Sequence, residues 1–232
     1  AARGWSDLGL CEIGAAFSAE GQTTIAAGLR AGRTPRQPGA TAAPMTFAAA
    51  KADALDVLTS LGVPSDALTA TPDAPGYYHP GRSGVLRQGP KNVLAHFGEL
   101  HPSILQEAGF DTPVVVFEVF LDRIPEPKRR KKSAPDLSPF QPVRRDFAFL
   151  AAHDVPVETI LRAAKGAERN LITGVSLFDI YEGDKLPEGQ KSVGIEIVIQ
   201  PKDASLTDAQ LEAVSEKVIA AVAKATGASL RS

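Results

Sequence analysis

Cysteine occurs once in 232 residues, as Cys11. That excludes an internal disulfide and any thiolate metal cluster, and Cys11 reads as a small buried hydrophobe. No window approaches the roughly 18 consecutive apolar residues of a membrane span. Residues 1–30 lack the basic, apolar and small-residue succession of a secretion signal. The expectation is a soluble, cytoplasmic chain without membrane contact. Phosphate-binding Gly-x-x-x-x-Gly-Lys-Ser/Thr, dinucleotide-binding Gly-x-Gly-x-x-Gly after a strand and hydrolase-type Gly-x-Ser-x-Gly are all missing, so no autonomous active site is legible.

A surplus of one charge is also missing. The net charge is −2, with 14 basic and 14 acidic residues in 1–137 and 11 against 13 in 138–232. Neither half is a basic domain, so any nucleic-acid contact has to use a local patch, with neighbouring domains or subunits neutralising further phosphates.

What is present is ordinary globular composition, 44% apolar and 22% charged, enough for a real core in one or two domains. The stretch from Ile124 to Pro139 holds four prolines and the basic run Lys128, Arg129, Arg130, Lys131 and Lys132. Missing backbone donors and like-charge repulsion predict an extended connector over 126–139, dividing the chain into domains 1–125 and 140–232. The run reads either as a solvated linker or as an arm touching phosphates.

In the second domain, Asp146-Phe-Ala-Phe-Leu-Ala alternates with a period of two, placing Phe147 and Phe149 on one face of a strand. Val157, Ile160, Leu161 and Ala164 follow at helical spacing, with Gly166 as a stop. The β-branched and aromatic runs Val175–Tyr181 and Ser192–Gln200 predict a hairpin. Thr207 with Gln210 signals a helix start, and Leu211, Val214, Val218, Val222 and Ala225 form a stripe ending at Gly227. A last strand over Ser229–Ser232 completes βαββαβ, two helices covering one face of a four-stranded antiparallel sheet.

The uncovered face is where function belongs. Val193, Ile195, Ile197 and Ile199 should lie under the helices, leaving Ser192, Gly194, Glu196 and Gln200 on the other side as a platform for a flat base. Val175 and Leu177 read as core, with Ser176 and Phe178 on the open side. Phe178 is a candidate stacking ring, or else packs against the preceding domain or linker. Arg144 and Arg145 stand where the chain enters the sheet, within reach of a phosphate or base edge.

The first domain is less regular. Strands are expected from Gly9 to Phe17, Thr23–Leu29, Gly84–Gln88, Asn92–Phe97 and Val114–Leu121, a loop over 31–45, and helices over Phe47–Leu61 and Pro102–Ala108. This is α+β with a mixed sheet. Three of the four histidines fall in His79-Pro-Gly-Arg-Ser83 and His96-Phe-Gly-Glu-Leu-His-Pro102. None is spaced one helical turn from another, and His96 and His101, five apart, point to opposite faces of a strand. Structural roles are therefore expected rather than a metal site.

Four segments of the second domain, Phe140-Gln-Pro-Val-Arg-Arg-Asp146, Val175-Ser-Leu-Phe-Asp-Ile-Tyr181, Leu186-Pro-Glu-Gly-Gln-Lys-Ser192 and Leu206-Thr-Asp208, occur in the order that the ferredoxin-fold anticodon-binding domain carries similar ones. This domain closes the β subunit of bacterial phenylalanyl-tRNA synthetases. Leu10-Cys-Glu-Ile-Gly14, His79-Pro-Gly-Arg-Ser83 and Gly98-Glu-Leu-His-Pro102 resemble segments of that subunit's catalytic-like module, which lacks catalytic residues, so the resemblance extends over residues 8–125. The resemblance implies a tRNA-binding surface at Arg144, Arg145, Phe178, Ser192, Gly194 and Glu196, with possible phosphate contacts from Lys128, Arg129, Arg130, Lys131 and Lys132. It implies phenylalanine tRNA and a catalytic α subunit as partners in an α2β2 assembly. ATP and magnesium are implied for the intact enzyme, with no cofactor or metal in this stretch. Beginning without methionine and entering a strand almost at once, the chain is expected to be an excised C-terminal piece, inactive alone. Two other readings stay open: a ferredoxin-like small-molecule regulatory module, and a subunit-assembly module without RNA contact.

Overall fold

The computed structural model describes residues 7–19, 21–35, 38–39, 41–126 and 138–231. The chain divides into two compact units, with the division between Arg130 and Lys131. Both are α+β. No helix among the described residues is long and apolar enough to cross a membrane.

The first unit contains β1 (Leu8–Ser18), β2 (Gly21–Ala31), α1 (Phe47–Ser60), β3 (Thr69–Thr71), β4 (Tyr78–Gln88), β5 (Asn92–Leu100), α2 (Pro102–Glu107) and β6 (Val114–Phe120). Its six strands run in the order β1-β2-β6-β5-β4-β3. Every described pairing is antiparallel, which corrects the mixed sheet expected from the sequence. The helices do not serve as crossovers between parallel neighbours; β4, β5 and β6 instead form a meander. Helix α1 lays Ala50, Ala54 and Leu58 on the face presenting Ala95, Phe97, Val115 and Val119, all buried. Gly28 is required there, because a β-carbon on it would lie 2.4 Å from the Phe117 ring.

Strand β3 was not anticipated, and β4 begins six residues before the expected Gly84. Cys11 corrects another expectation: it is exposed, because β1 is an edge strand with a neighbour on one side only.

The second unit contains β7 (Val143–Ala152), α3 (Val157–Ala167), β8 (Ile172–Tyr181), β9 (Gln190–Ile199), α4 (Asp208–Thr226) and β10 (Ser229–Leu230). The sheet order β10-β7-β9-β8, antiparallel throughout, is the expected ferredoxin-like arrangement. Phe147, Phe149, Val193, Ile195, Ile197 and Ile199 are buried beneath Ile160 and Ala164 of α3 and Leu211, Val214, Val218 and Val222 of α4. Helix α4 opens on the Thr207–Gln210 capping box and stops at Gly227, whose φ of 71° is left-handed.

Gly166 does not stop α3, which continues to Ala167. Leu177, expected in the core, is 40% exposed because β8 is the outer strand. Between Leu177 and Asp179 the β8 ladder carries a bulge. It puts Phe178 and Asp179 together opposite Gly194 and reverses the alternation beyond.

Candidate nucleic-acid interface

The candidate interface is the face of the second sheet that the helices leave uncovered. In β9, pleating sends Val193, Ile195, Ile197 and Ile199 into the core and Ser192, Gly194 and Glu196 outward. Ser192 and Gly194 are nevertheless buried, because side chains from neighbouring strands lie over them.

Over Gly194 lies the ring of Phe178. A β-carbon on Gly194 would stand 2.8 Å from Cε2 and 2.9 Å from Cζ of that ring, and 3.2 Å from Cβ of Asp179. The ring therefore rests on bare backbone while 59% of the residue faces solvent. Its free surface can stack on a base.

Over Ser192 lies Arg231, just after β10. Its main-chain N–H bonds to Ala148 O, its Nη1 donates to Ser192 Oγ at 3.3 Å, and its guanidinium lies 5.9 Å from the centroid of Tyr181. At the other end of the face, Arg144 donates to Glu196 Oε1 at 2.7 Å. Asp146 pairs with Glu196 across the strands, and Asp179 faces Gly194. The face thus offers an uncovered ring, two guanidinium groups and three carboxylates. That mixture suits hydrogen bonding to base edges better than bulk attraction to phosphates.

The structure brings Arg144, Phe178, Ser192, Gly194 and Glu196 onto one face. It does not add Arg145. By the alternation of β7, Arg145 shares the helix side with Phe147, and it is exposed at that strand's beginning. Lys128, Arg129, Arg130, Lys131 and Lys132 lie outside the described residues. Sequence reasoning missed Tyr181, Asp179 and Arg231. A period-two reading without a bulge sends Tyr181 and Asp179 toward the helices. Arg231 needed only the topology, since the last strand of βαββαβ lies beside the first and Arg231 follows on its outward phase.

In the first unit, the two histidine-bearing motifs meet. Arg82 of His79-Pro-Gly-Arg-Ser83 reaches the buried Glu99 of Gly98-Glu-Leu-His-Pro102 at 3.2 Å. Ser83 Oγ donates to the carbonyl of His79 at 2.6 Å, and His101 Nδ1 accepts from the backbone N–H of Ser103, capping α2. These are local structural roles. Among the described residues no group of three or more potential metal ligands comes together.

A second polar cluster lies on the sheet face away from α1. Oε2 of Glu118 accepts the hydroxyls of Tyr77 and Tyr78 at 2.7 and 3.0 Å, and Nδ1 of His96 stands 3.8 Å from that oxygen. His96 and then the two tyrosines hold the Glu118 carboxyl below its ordinary range, outweighing the opposing effect of burial. Burial, with Glu118 adding to it, pushes both tyrosine hydroxyls well above theirs.

A four-stranded antiparallel βαββαβ sheet with both helices on one face defines a ferredoxin-fold domain. Residues 138–231 match the ferredoxin-fold anticodon binding domain, and residues 1–121 match the phenylalanyl tRNA synthetase beta chain CLM domain. The chain belongs to the phenylalanyl-tRNA synthetase β chain family. Among curated relatives, the phenylalanine–tRNA ligase beta subunit of Gluconobacter oxydans (strain 621H) is 58% identical over 222 residues, 96% of this chain and 27% of the relative. That of Bradyrhizobium diazoefficiens is 45% identical over 241 residues, 99% of this chain and 30% of the relative. That of Rhodospirillum rubrum is 46% identical over 239 residues, 100% and 30%. The chain spans less than a third of these relatives' length.

Proposed function

We propose that this chain is the C-terminal part of a phenylalanyl-tRNA synthetase β subunit and that it holds the anticodon region of phenylalanine tRNA on the open face of its second unit. Domain 1–125 is a non-catalytic, catalytic-like module that supports the α subunit. Linker 126–139 leads to the anticodon domain, 140–232. The α subunit carries out ATP- and magnesium-dependent attachment of phenylalanine in an α2β2 assembly in the cytoplasm. Lys128, Arg129, Arg130, Lys131 and Lys132 add phosphate contacts from the linker, and Arg145 contacts phosphate from the strand's opposite face. The chain alone carries out no phenylalanine-dependent exchange of pyrophosphate into ATP.

The observation carrying this reading is the Phe178 ring lying on Gly194 with one side free, flanked by Arg231 on Ser192 and Arg144 on Glu196. A flat base stacks on the ring while the polar groups meet its edges. Phe178→Ala in the full-length heteromer should weaken tRNA binding by about 1–3 kcal/mol. The loss should vanish for a minihelix without an anticodon; equal loss on both RNAs would refute anticodon reading by this ring.

A further inference from the structure

The first sheet carries a separate site on the face turned away from α1. Glu118 stands on its floor. The two tyrosine hydroxyls and His96 all approach its Oε2, so Oε1 receives none of these contacts. No lysine or arginine among the described residues pairs with this carboxylate, unlike Glu99, which has Arg82. Beside it runs a groove of about 520 Å³ walled by Leu10, Leu29, Leu100, Val116 and the ring of Tyr77.

That volume lies within the range of small-molecule sites, about 300–1,000 Å³. A carboxylate whose one oxygen accepts two tyrosine hydroxyls is oriented before any ligand arrives, so little ordering remains to oppose binding. Its negative charge, faced by His96 but paired with no lysine or arginine among the described residues and set among apolar walls, favours a cationic donor on the ligand. The tyrosine ring adds a surface attractive to that cation or to an aromatic body.

We propose that this groove binds a small primary amine with an apolar, aromatic body. The ammonium donates to Glu118 Oε1, and the body lies between Leu10 and Leu29 on one side and Leu100 and Val116 on the other. This site is independent of the anticodon face.

The test is a titration of the 232-residue chain with benzylamine, followed by side-chain NMR shifts of Leu10, Leu29, Val116 and Tyr77. Benzyl alcohol and benzoate serve as the neutral and anionic counterparts. Benzylamine should give saturable shifts confined to the groove, binding about tenfold more tightly than benzyl alcohol, as one charge-assisted hydrogen bond warrants. Benzoate should give none. Glu118→Gln should remove the tenfold preference. Should that variant unfold, Leu10→Lys decides: it lies on an exposed edge, 60% accessible, and supplies its own ammonium to the groove, so benzylamine binding should be lost with the fold intact. Scattered or unsaturable shifts, equal affinity for amine and alcohol, or benzylamine binding unchanged in Leu10→Lys would overturn the proposal.

Discussion

The ring of Phe178 lies where a β-carbon of Gly194 would be, 2.8 Å away at the nearest ring atom. The two residues form one device: the bulge in β8 swings the ring across the sheet, and the absent side chain on β9 lets it lie down.

Gly194→Ala should therefore act through Phe178. The ring is mostly exposed and can lift away, so stability should change by less than about 1 kcal/mol. Affinity for phenylalanine tRNA should fall by an amount comparable to Phe178→Ala. In a Phe178→Ala background, Gly194→Ala should cost almost nothing more, because the two substitutions remove the same surface. Additive losses in a double-mutant cycle of binding would show that glycine contributes separately.

Much of the second unit was legible from the sequence because its signals were local and mutually consistent. The period-two run through Phe147 and Phe149, the inward isoleucines of β9 and the Thr207–Gln210 box each point to an element that the structure contains. The β8 bulge was not legible. It is set by pairing with β9, and it moved Tyr181 and Asp179 to the open face. Gly166 was misread because the helix is held by packing of Ile160 and Ala164, which outweighs one glycine's cost of about 1 kcal/mol. In the first unit, Cys11 was read from cysteine's usual burial, which says nothing of whether a strand is central or at an edge.

The capping box of α4 gives a stability prediction free of any RNA. Thr207 Oγ1 accepts from the Gln210 N–H at 3.4 Å, and Gln210 Oε1 accepts from the Thr207 N–H at 2.9 Å. Thr207→Ala removes the first of these and should destabilise the second unit by about 1 kcal/mol in urea unfolding followed by helical circular dichroism. A change below about 0.3 kcal/mol would mean the long Thr207 contact contributes nothing.

Acid should weaken the first unit through Glu118. Its carboxyl titrates below the ordinary range in the folded state, so the folded state favours the ionised form. The resulting stability is complete above the unfolded value of about 4.3 and is lost as pH falls through the lower folded value. Asp73 and Glu168 shift in the same direction, Asp73 chiefly through Thr71 and Glu168 through Lys217, so the parent curve contains their losses too. The difference between parent and Glu118→Gln isolates Glu118: it should shrink on acidification below about pH 4. A pH-independent difference would show that ionised Glu118 gains nothing from His96 and the tyrosines.

Arg231 tests whether the face reads bases or holds phosphates. It bridges Ser192 and Tyr181 from beyond the last strand, and its exposed guanidinium is not part of the core. Arg231→Gln should leave unfolding unchanged while reducing tRNA affinity by about 1–3 kcal/mol if the fork reaches a base edge. That loss should differ among anticodon variants of the tRNA and leave most of the salt dependence in place. A phosphate contact predicts a uniform loss across variants and a binding-versus-salt slope smaller by about 1. Arg231→Lys separates the two further, because a lysine keeps the charge without the planar fork. It should restore phosphate binding but not base selectivity. Full recovery of selectivity by lysine would rule out Arg231 as a base reader.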